Sequence, residues 1–305
     1  MGISLSTAWN AFRYNNGKEI IREIKDLGFS AVELSFNLTE GIVRDIARLT
    51  EEKQISVRSL HNYCPVPEGL NREEALPDCY SLASLDPEQR QKAVKYTKIS
   101  IDTAFRLKAE AVVLHCGRVE IPDRTRELCI FYHNNGGLLS APALRLKDKM
   151  CQEREEKISG HLDAALKSLE ELVDYAARLK VKLGIENRFY FREIPSFEEM
   201  AKVLERFQGD NVFYWHDTGH AQFWENLGFW RHLDYLERYQ QYLLGLHLHD
   251  IKGIQDHLAP GAGDFDFSVL KSYIKKDTIK TLEAHYPAGP REIVRAREFL
   301  EGLYG

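Results

Sequence analysis

The sequence predicts a single (β/α)8 TIM barrel, in which eight parallel strands are surrounded by helices. Short apolar segments alternate with longer amphipathic segments along all 305 residues, and there are eight of each kind. The short segments are apolar throughout, as expected for parallel strands that are covered on both faces. Regular strand–helix alternation predicts a parallel sheet, and eight such units close the sheet into a barrel.

The predicted elements follow one another without a linker rich in Pro, Gly or Ser, so we assign residues 1–305 to one domain. Ser196 is a typical N-cap of the fifth predicted helix, and Gly28 is a typical stop after the first. The predicted strands cover residues 3–6, 31–36, 56–61, 111–115, 182–186, 212–217, 243–249 and 280–285. The predicted helices cover residues 18–27, 39–53, 87–107, 153–179, 197–207, 228–242, 267–275 and 290–300.

Two connections are longer than a minimal βα unit requires. Residues 64–86 follow the third predicted strand and contain several prolines, and residues 117–151 follow the fourth. Both leave the C-terminal ends of their strands, where barrel enzymes have their active sites. Because connections of this length are usually functional or disordered, we expect long loops over the mouth of the barrel.

Composition excludes several classes of protein. The formal charge is −5, with 41 basic and 46 acidic residues, so the chain has no general attraction for nucleic acid. The five cysteines include no C-x-x-C pair, which indicates a reducing compartment without disulfides. The N-terminus lacks the basic region of a signal peptide, and no apolar run reaches the ~18 residues that a membrane crossing needs. We therefore expect a cytoplasmic protein without membrane contact.

Ionisable residues lie at the ends of four consecutive predicted strands. They are Glu186, Asp217, His247 and Glu283. The C-terminal ends of barrel strands meet at one rim, so these four side chains should lie close together. Three carboxylates and one imidazole favour Mn²⁺, Mg²⁺, Co²⁺ or Zn²⁺ over a thiolate-type metal site. Converging carboxylates would also repel one another without a cation, so we predict one divalent metal at this rim.

Five segments give the chain a resemblance to a known superfamily over essentially its whole length. It resembles the xylose isomerase-like barrels, which include sugar isomerases and epimerases, inosose dehydratase-type enzymes and endonuclease IV. The segments are A-V-E-L-S (31–35), S-L-H-N-Y (59–63), I-E-N-R (185–188), D-T-G-H (217–220), and H-L-H-D-I-K (247–252) followed by P-G-A-G-D-F (260–265).

In the epimerase branch, a Glu–Asp–His–Glu quartet binds one metal, and the matching residues here are Glu186, Asp217, His247 and Glu283. His247 is preferred to His249 as the ligand because His247–Asp250 matches the family pattern H-x-x-D. The resemblance also implies that Glu186 and Glu283 exchange protons with a substrate carbon. It therefore predicts a metal-dependent isomerase or epimerase of a sugar, sugar phosphate or polyol. Such barrels are often homo-oligomers.

Two further histidines, His61 and His115, end the third and fourth predicted strands. In endonuclease IV the matching residues bind another metal, which Glu186 would bridge. Here they are candidates for a second metal, for contacts with substrate hydroxyls, or for structural hydrogen bonds.

The remaining candidates are substrate-binding residues. His220 matches the D-x-x-H histidine that contacts substrate oxygens in the epimerases, although it could also cap a helix. Arg188 could bind an anionic group or form a surface salt bridge. Trp9 could stack on a sugar face or pack in the interior. We also assign His249 and His257 to this group, and we expect Glu33 to form an internal ion pair or lie near the site.

Two alternative functions remain open at this point. One is a phosphodiesterase that acts on abasic DNA, like endonuclease IV, and the other is a dehydratase of the inosose dehydratase type. The third metal of the endonuclease needs a D-x-H pair, whereas this chain has Gln255-Asp256-His257 at the matching positions. Together with the negative charge, this difference favours a small polyhydroxy substrate over nucleic acid.

Overall fold

Eight strands close into a barrel in the computed structural model, which describes residues 2–305. The order around the barrel is β1–β10–β7–β6–β5–β4–β3–β2, and every neighbouring pair is parallel. The barrel strands are β1 (Ser4–Ser6), β2 (Ala31–Leu34), β3 (Ser56–His61), β4 (Ala111–Leu114), β5 (Lys182–Glu186), β6 (Val212–Asp217), β7 (Leu243–Leu248) and β10 (Ile279–Leu282). The prediction of a (β/α)8 barrel is confirmed. Two more strands, β8 (Asp250–Lys252) and β9 (Gln255–Leu258), form an antiparallel hairpin after β7.

Helices connect the strands, and their ends follow ordinary capping chemistry. Ser196 and Glu199 form a capping box at the start of α7, which confirms the predicted N-cap. Gly28 follows α1 with a φ of 87°, a conformation that glycine adopts without strain. The helices are α1 (Gly17–Asp26), α2 (Glu40–Glu51), α3 (Pro87–Leu107), α4 (Thr125–Asn134), α5 (Ala141–Glu155), α6 (Ile158–Leu179), α7 (Phe197–Arg206), α8 (Thr218–Asn226), α9 (His232–Tyr239) and α10 (Pro290–Tyr304).

Several element predictions were wrong. The predicted helix 153–179 divides at Lys157, whose φ of −121° is not helical. The predicted helix 267–275 is only a short 3-10 helix, Phe267–Leu270. Helix α8 was not predicted, because its N-cap is Asp217, a residue that the sequence indicates mainly as a metal ligand. The hairpin β8–β9 was also missed.

The two long connections differ in structure. Residues 62–86, after β3, contain no helix or strand, as expected for a loop. The segment after β4 instead carries α4 and α5 before α6 begins. None of the helices within residues 2–305 combines the length and apolar character that a membrane span requires. All five cysteines are free thiols.

Trp215 fills the barrel interior beneath the ionisable residues at the rim. Its fully buried ring packs with Ala111, Val113 and Ile279. The ring centroid lies 5.2 Å from that of His247, one layer closer to the rim. The neighbouring strands provide Gly184 and Gly245, and a Cβ on either residue would press against the indole. Small residues around one large ring therefore close the barrel below the site.

We expect Gly245→Ala to lower the free energy of unfolding by about 1–3 kcal/mol, because the added methyl overlaps a rigid aromatic ring. Urea unfolding measures the effect. Gly302→Ala, on α10, is the matched control, since no atom of the described residues beyond its own backbone surroundings lies within 4 Å of the added Cβ. The control should be unchanged or stabilised by up to about 1 kcal/mol. An equal loss in both variants would contradict the packing role of Gly245.

Candidate metal centre and its surroundings

The four strand-end residues converge on one point at the rim of the barrel. Glu186 ends β5, Asp217 ends β6, His247 lies in β7, and Glu283 directly follows β10. Each offers a ligand atom that lies within 4.8 Å of the other three, and all four residues are buried. The register of the sheet places two of the four residues side by side, because Asp217 pairs with His247 across the β6–β7 ladder. The structure therefore brings the whole predicted quartet together.

Glu33 determines which nitrogen of His247 faces the quartet. The His247 Nε2–H donates to Glu33 Oε1 at 3.0 Å, and the Ser59 hydroxyl donates to the other Glu33 oxygen at 2.7 Å. A carboxylate on one imidazole nitrogen directs the other nitrogen toward a metal, as in many metal sites. Glu33 therefore lies near the site and pairs with His247. This agrees with the expected internal position of Glu33, although the sequence did not identify His247 as its partner.

Negative charge dominates the centre. His247 Nδ1 lies 2.7 Å from Glu186 Oε1 and 3.0 Å from Glu283 Oε2. Burial alone would lower the pKa of His247, but Glu283, Glu33 and Glu186 raise it well above its usual value. Burial would likewise raise the pKa of Glu283, but the positive His247 lowers it well below the usual range. The cluster thus requires a cation at Nδ1, either a proton or a metal ion.

The two oxygens of Asp217 have different surroundings. Oδ1 accepts the backbone N–H of His220 at 2.7 Å and the His249 Nε2–H at 2.8 Å. Oδ2 is buried, has no hydrogen-bond partner within residues 2–305, and lies 3.7 Å from His247 Nδ1. An unpartnered buried oxygen facing two glutamates and an imidazole is the arrangement that a divalent cation would satisfy. The donor set of three oxygens and one nitrogen fits the predicted metal.

His249 is buried beside the quartet with both ring nitrogens engaged. The backbone N–H of His257 donates to its Nδ1 at 2.9 Å, so Nε2 must carry the proton that is donated to Asp217. Nδ1 of His249 is blocked by a backbone N–H, whereas Nδ1 of His247 faces the quartet carboxylates themselves, which favours His247 over His249 as the ligand. Gly219 makes this possible, because a Cβ there would overlap the imidazole of His249.

His61 and His115 face the other side of Glu186. His115 Nε2 lies 2.8 Å from Glu186 Oε2, and His61 Nε2 lies 3.8 Å from the same oxygen. The three residues could also hold a metal by their spacing. Asp78, from the long loop after β3, lies 3.5 Å from the other nitrogen of His115. This loop therefore reaches the rim, as the sequence predicted for that connection.

Arg188 is buried and paired within the protein. One guanidinium nitrogen donates to Glu186, and another lies 3.4 Å from Glu193. Glu186, Glu193 and other acids raise the pKa of Arg188 against the opposing effect of burial. Arg188 thus holds Glu186 in place, while its predicted contact with an anionic substrate stays a prediction.

A row of histidines lies along the opposite edge of the centre. The rings of His249, His257 and His285 stack in sequence, with centroids 4.0 Å apart at each step. His220 donates through Nδ1 to the backbone carbonyl of Asn187 at 3.0 Å, which leaves its Nε2 as an acceptor. His285 Nε2 is buried without a partner among the described residues. His285 was missed although it lies two residues after Glu283 in T-L-E-A-H.

Trp9 is almost fully buried, and its indole N–H donates to the carbonyl of Ala288 at 2.8 Å. The guanidinium of Arg13 covers one face of its ring at 4.4 Å. The structure thus favours packing for Trp9. Its contact with a sugar face remains untested.

The fold and the site place the protein in the class of (β/α)8 barrels that have a buried, carboxylate-rich rim with candidate metal ligands. Comparison with known protein families identifies the family within this class. The family model described as xylose isomerase-like TIM barrel matches residues 21–303. The chain therefore belongs to this family.

Solved structures of sugar epimerases share the fold across the whole chain. A D-tagatose 3-epimerase-like protein is 20% identical, with a TM-score of 0.69 over 99% of this chain and 97% of that one. The 3-keto-D-glucoside 4-epimerase of E. coli is 14% identical, with a TM-score of 0.70 over 99% of each chain. An L-ribulose 3-epimerase is 16% identical, with a TM-score of 0.68 over 99% of this chain and 94% of that one.

Two curated relatives are uncharacterised proteins. One, from Methanocaldococcus jannaschii, is 24% identical over 72% of this chain and 64% of its own length. The other, from Sinorhizobium fredii, is 30% identical over 63% of this chain and 52% of its own length. The matched region thus spans less than two thirds of either relative.

We expect Asp256→Asn to lower the pKa of His257. Burial alone would lower that pKa, but Asp256, 2.8 Å from Nδ1, raises it to about 9. The ion pair contributes its full stabilisation at a pH below 6.5, the usual pKa of histidine, down to the acid range in which Asp256 protonates. This stabilisation is lost as the pH rises toward about 9, the pKa of His257 in the folded protein. An NMR titration of the histidine resonances measures the shift.

Unfolding measurements supply the second readout for this pair. The stability difference between wild type and Asp256→Asn should shrink as pH rises from 6 to 10. Asp277→Asn, at an exposed position, should leave the pKa of His257 unchanged. A His257 pKa near 6.5 in the wild type would refute the pairing.

We expect Gly219→Ala to displace His249 and to cost about 1–3 kcal/mol of stability, because the added methyl overlaps the imidazole. The Nε2 proton that His249 donates to Asp217 provides the specific signal, and its NMR resonance should shift or exchange faster. Gly41→Ala is the matched control, since only the Thr39 hydroxyl, at 3.8 Å, approaches its Cβ. An unchanged His249 resonance in Gly219→Ala would contradict this packing.

Proposed function

We propose that the protein is a divalent-metal-dependent sugar epimerase or isomerase that uses Glu186 and Glu283 for proton transfer. The observation that carries this proposal is the pair of glutamate oxygens within 3.0 Å of the same His247 nitrogen, beside the unpartnered Oδ2 of Asp217. Glu186, Asp217, His247 and Glu283 would hold the metal. When bound, a divalent metal polarises a substrate carbonyl or hydroxyl and acidifies the adjacent C–H bond.

The two glutamates supply the proton chemistry. One carboxylate removes the proton from the carbon next to the carbonyl, and the C–H electron pair moves into the carbonyl to give an enediolate. The other glutamate, which takes up a proton from solvent once the substrate is bound, returns that proton to the same carbon from the opposite face. The carbonyl re-forms, the configuration of that carbon is inverted, and the two glutamates have exchanged protonation states.

Their surroundings give the two glutamates different properties. Glu186 is held by Arg188, His115 and His247. Glu283 contacts His247 but pairs with no guanidinium among residues 2–305, and it is slightly more exposed than Glu186. Glu186 is thus a fixed anion that is suited to accept the proton first. Glu283 is held by fewer contacts than Glu186, which suits it to be the second proton-transfer group.

Histidines around the centre are suited to bind substrate hydroxyls. The tautomer of His220 leaves Nε2 as an acceptor, and His285 has an unpartnered Nε2. His257 contributes its own Nε2, because Nδ1 pairs with Asp256. The neighbours whose names include tagatose and ribulose support a ketose as the substrate. A neutral, donor- and acceptor-rich sugar fits this lining better than a phosphodiester backbone.

Solvent exchange tests the mechanism. Incubation with Mn²⁺ and D-tagatose, D-allulose or L-ribulose in D₂O should give an epimer that carries deuterium at the inverted carbon. Glu186→Gln and Glu283→Gln should each lower turnover by at least about 100-fold, the usual contribution of a general acid or base. Mass spectrometry and NMR of the product follow the reaction.

Exposed Glu171→Gln is the matched control and should keep full activity. Metal content is measured in each variant, so that lost binding is separated from lost proton transfer. A product without solvent deuterium would indicate hydride transfer between carbons, and a dehydrated product would indicate the lyase alternative. Full activity after removal of metal would refute the metal-dependent mechanism.

Phosphodiester hydrolysis is a second candidate, favoured by one observation. Four clusters among the described residues have metal-ligand spacing: the quartet, His61–His115–Glu186, His220–His249–His257, and Asp78–His115–Glu193. Cleavage of a duplex with one abasic site, compared with an intact duplex, tests this function. Turnover there and none with ketoses would replace the epimerase proposal.

A further inference from the structure

A cavity of about 470 Å³ lies against the outer surface of β10, between the segment that follows the short 3-10 helix Phe267–Leu270 and the C-terminal end of α10. The proposed function makes no use of this cavity. The residues that line it come from near the start of β10, whereas the metal centre lies at the opposite, C-terminal ends of the strands.

Lys280 of β10 points away from the barrel interior and toward this cavity. The preceding residue, Ile279, packs with Trp215 inside the barrel. Because successive side chains of a strand point to opposite faces, Lys280 faces the outer layer and lines the cavity. Glu283 follows three residues later, about 10 Å along the strand, on the other face. The lysine is therefore separate from the metal centre.

Lys280 is a buried lysine without a partner. The residue is 4% exposed, whereas lysines are almost never fully buried unless they are paired. Its Nζ makes no hydrogen bond or ion pair within residues 2–305, yet this atom keeps accessible surface and so reaches the cavity. Burial and the neighbouring guanidinium of Arg58 both lower the pKa of Lys280, and no carboxylate raises it. Its positive charge is therefore uncompensated by the described part of the chain.

Three more lysines line the same cavity, and all three are exposed: Lys271, Lys275 and Lys276. Among the lining residues of the described chain there is no aspartate or glutamate. Gly305 also lines the cavity, but its carboxylate forms no ion pair with these lysines within residues 2–305. Four ammonium groups around one cavity create a positive potential in a chain whose formal charge is −5. The cavity therefore favours an anion that carries more than one charge, and lysine is a common partner of phosphate.

The shape of the cavity favours a small molecule over a macromolecule. Lys280 is buried while the other three lysines are exposed, so a ligand must enter the cavity to contact all four. A volume of about 470 Å³ lies within the range of small-molecule sites. Ile274 and Leu303 add apolar surface beside the ammonium groups, against which the remainder of a phosphorylated molecule can pack.

We propose that this cavity binds a small phosphate-bearing anion whose oxygens accept hydrogen bonds from the ammonium group of Lys280 and from the exposed lysines around it. Free phosphate and a phosphorylated metabolite present the same chemical group. The site does not depend on the proposed epimerase activity.

NMR of the full chain with ¹³C-methyl-labelled isoleucine tests the site. The methyl resonance of Ile274, identified by its loss in Ile274→Val, reports on this cavity even if a probe also binds at the mouth of the barrel. At constant ionic strength, inorganic phosphate and fructose 6-phosphate should shift this resonance saturably, and fructose should not. Tighter binding of fructose 6-phosphate would assign the cavity to a phosphorylated metabolite, and equal binding would assign it to free phosphate; both results support the site.

Variants test the role of the lysines through the same Ile274 resonance. Lys280→Met removes the charge and keeps the length of the side chain, so the affinity for phosphate should fall at least about tenfold. The double variant Lys275→Gln, Lys276→Gln changes only exposed residues and should also weaken binding, even if Lys280→Met fails to fold. Lys92→Met, at an exposed position on α3, is the matched control and should bind like the wild type.

Several results would overturn the proposal. The absence of a saturable shift with both phosphate probes would refute the site, and equal shifts with fructose and fructose 6-phosphate would refute an anion. Unchanged affinity in Lys280→Met would remove the proposed contact. A single-stranded oligonucleotide that binds more tightly than fructose 6-phosphate, with no effect of Lys280→Met, would assign the exposed lysines to a macromolecular surface and refute the small ligand.

Discussion

Burial of four carboxylates against a single imidazole is the constraint that the rest of this site satisfies. Glu33, Glu186 and Glu283 all lie within 3.0 Å of His247, and Asp217 lies 3.7 Å away. Charges of one sign at this spacing cannot remain buried without compensation. A cation at His247 Nδ1 supplies part of the compensating positive charge, and the guanidinium of Arg188 supplies another part at Glu186. The site is therefore stable only when it holds positive charge, which is also the property that a metal enzyme needs.

Partners of known hydrogen-bond direction orient His247 and Asp217, two of the candidate ligands of this centre. Glu33 assigns Nδ1 of His247 to the quartet, and His249 occupies Oδ1 of Asp217 so that Oδ2 faces inward. The side-chain amide of Asn187 accepts the backbone N–H of Asp217 and donates to its carbonyl. These two hydrogen bonds fix the end of β6. Such partners reduce the reorganisation that metal and substrate binding require. Because these side chains are held in fixed positions, the neighbouring backbone must leave space for them. Gly219 leaves room for His249, and Gly245 leaves room for Trp215.

The sequence could predict the barrel and the positions of its ionisable strand ends, because both follow from periodicity and residue type. Apolar runs marked the eight strands, and the ends of four consecutive strands placed Glu186, Asp217, His247 and Glu283 at one rim. Helix α8 could not be predicted in this way, since Asp217 ends a strand and caps a helix at once.

Partners that meet only in three dimensions were also beyond the sequence. Glu33 lies 214 positions before His247, and nothing in A-V-E-L-S indicates that this carboxylate meets an imidazole. Hydrogen-bond direction likewise depends on backbone groups whose partners only the fold reveals. The tautomer of His249, for example, follows from a backbone N–H eight residues away.

The same hydrogen bonds favour one metal over three. His249 has both nitrogens engaged, so the third cluster has free ring nitrogens only on His220 and His257. Asp256 could have replaced the missing ligand, but it pairs with His257 instead. At His61–His115–Glu186, a second cation would lie beside the guanidinium of Arg188, which already donates to Glu186 Oε2. Like charges would then repel across a buried oxygen. A single cation in the quartet satisfies the charge without this conflict, and it is compatible with the proposed proton transfer by Glu186 and Glu283.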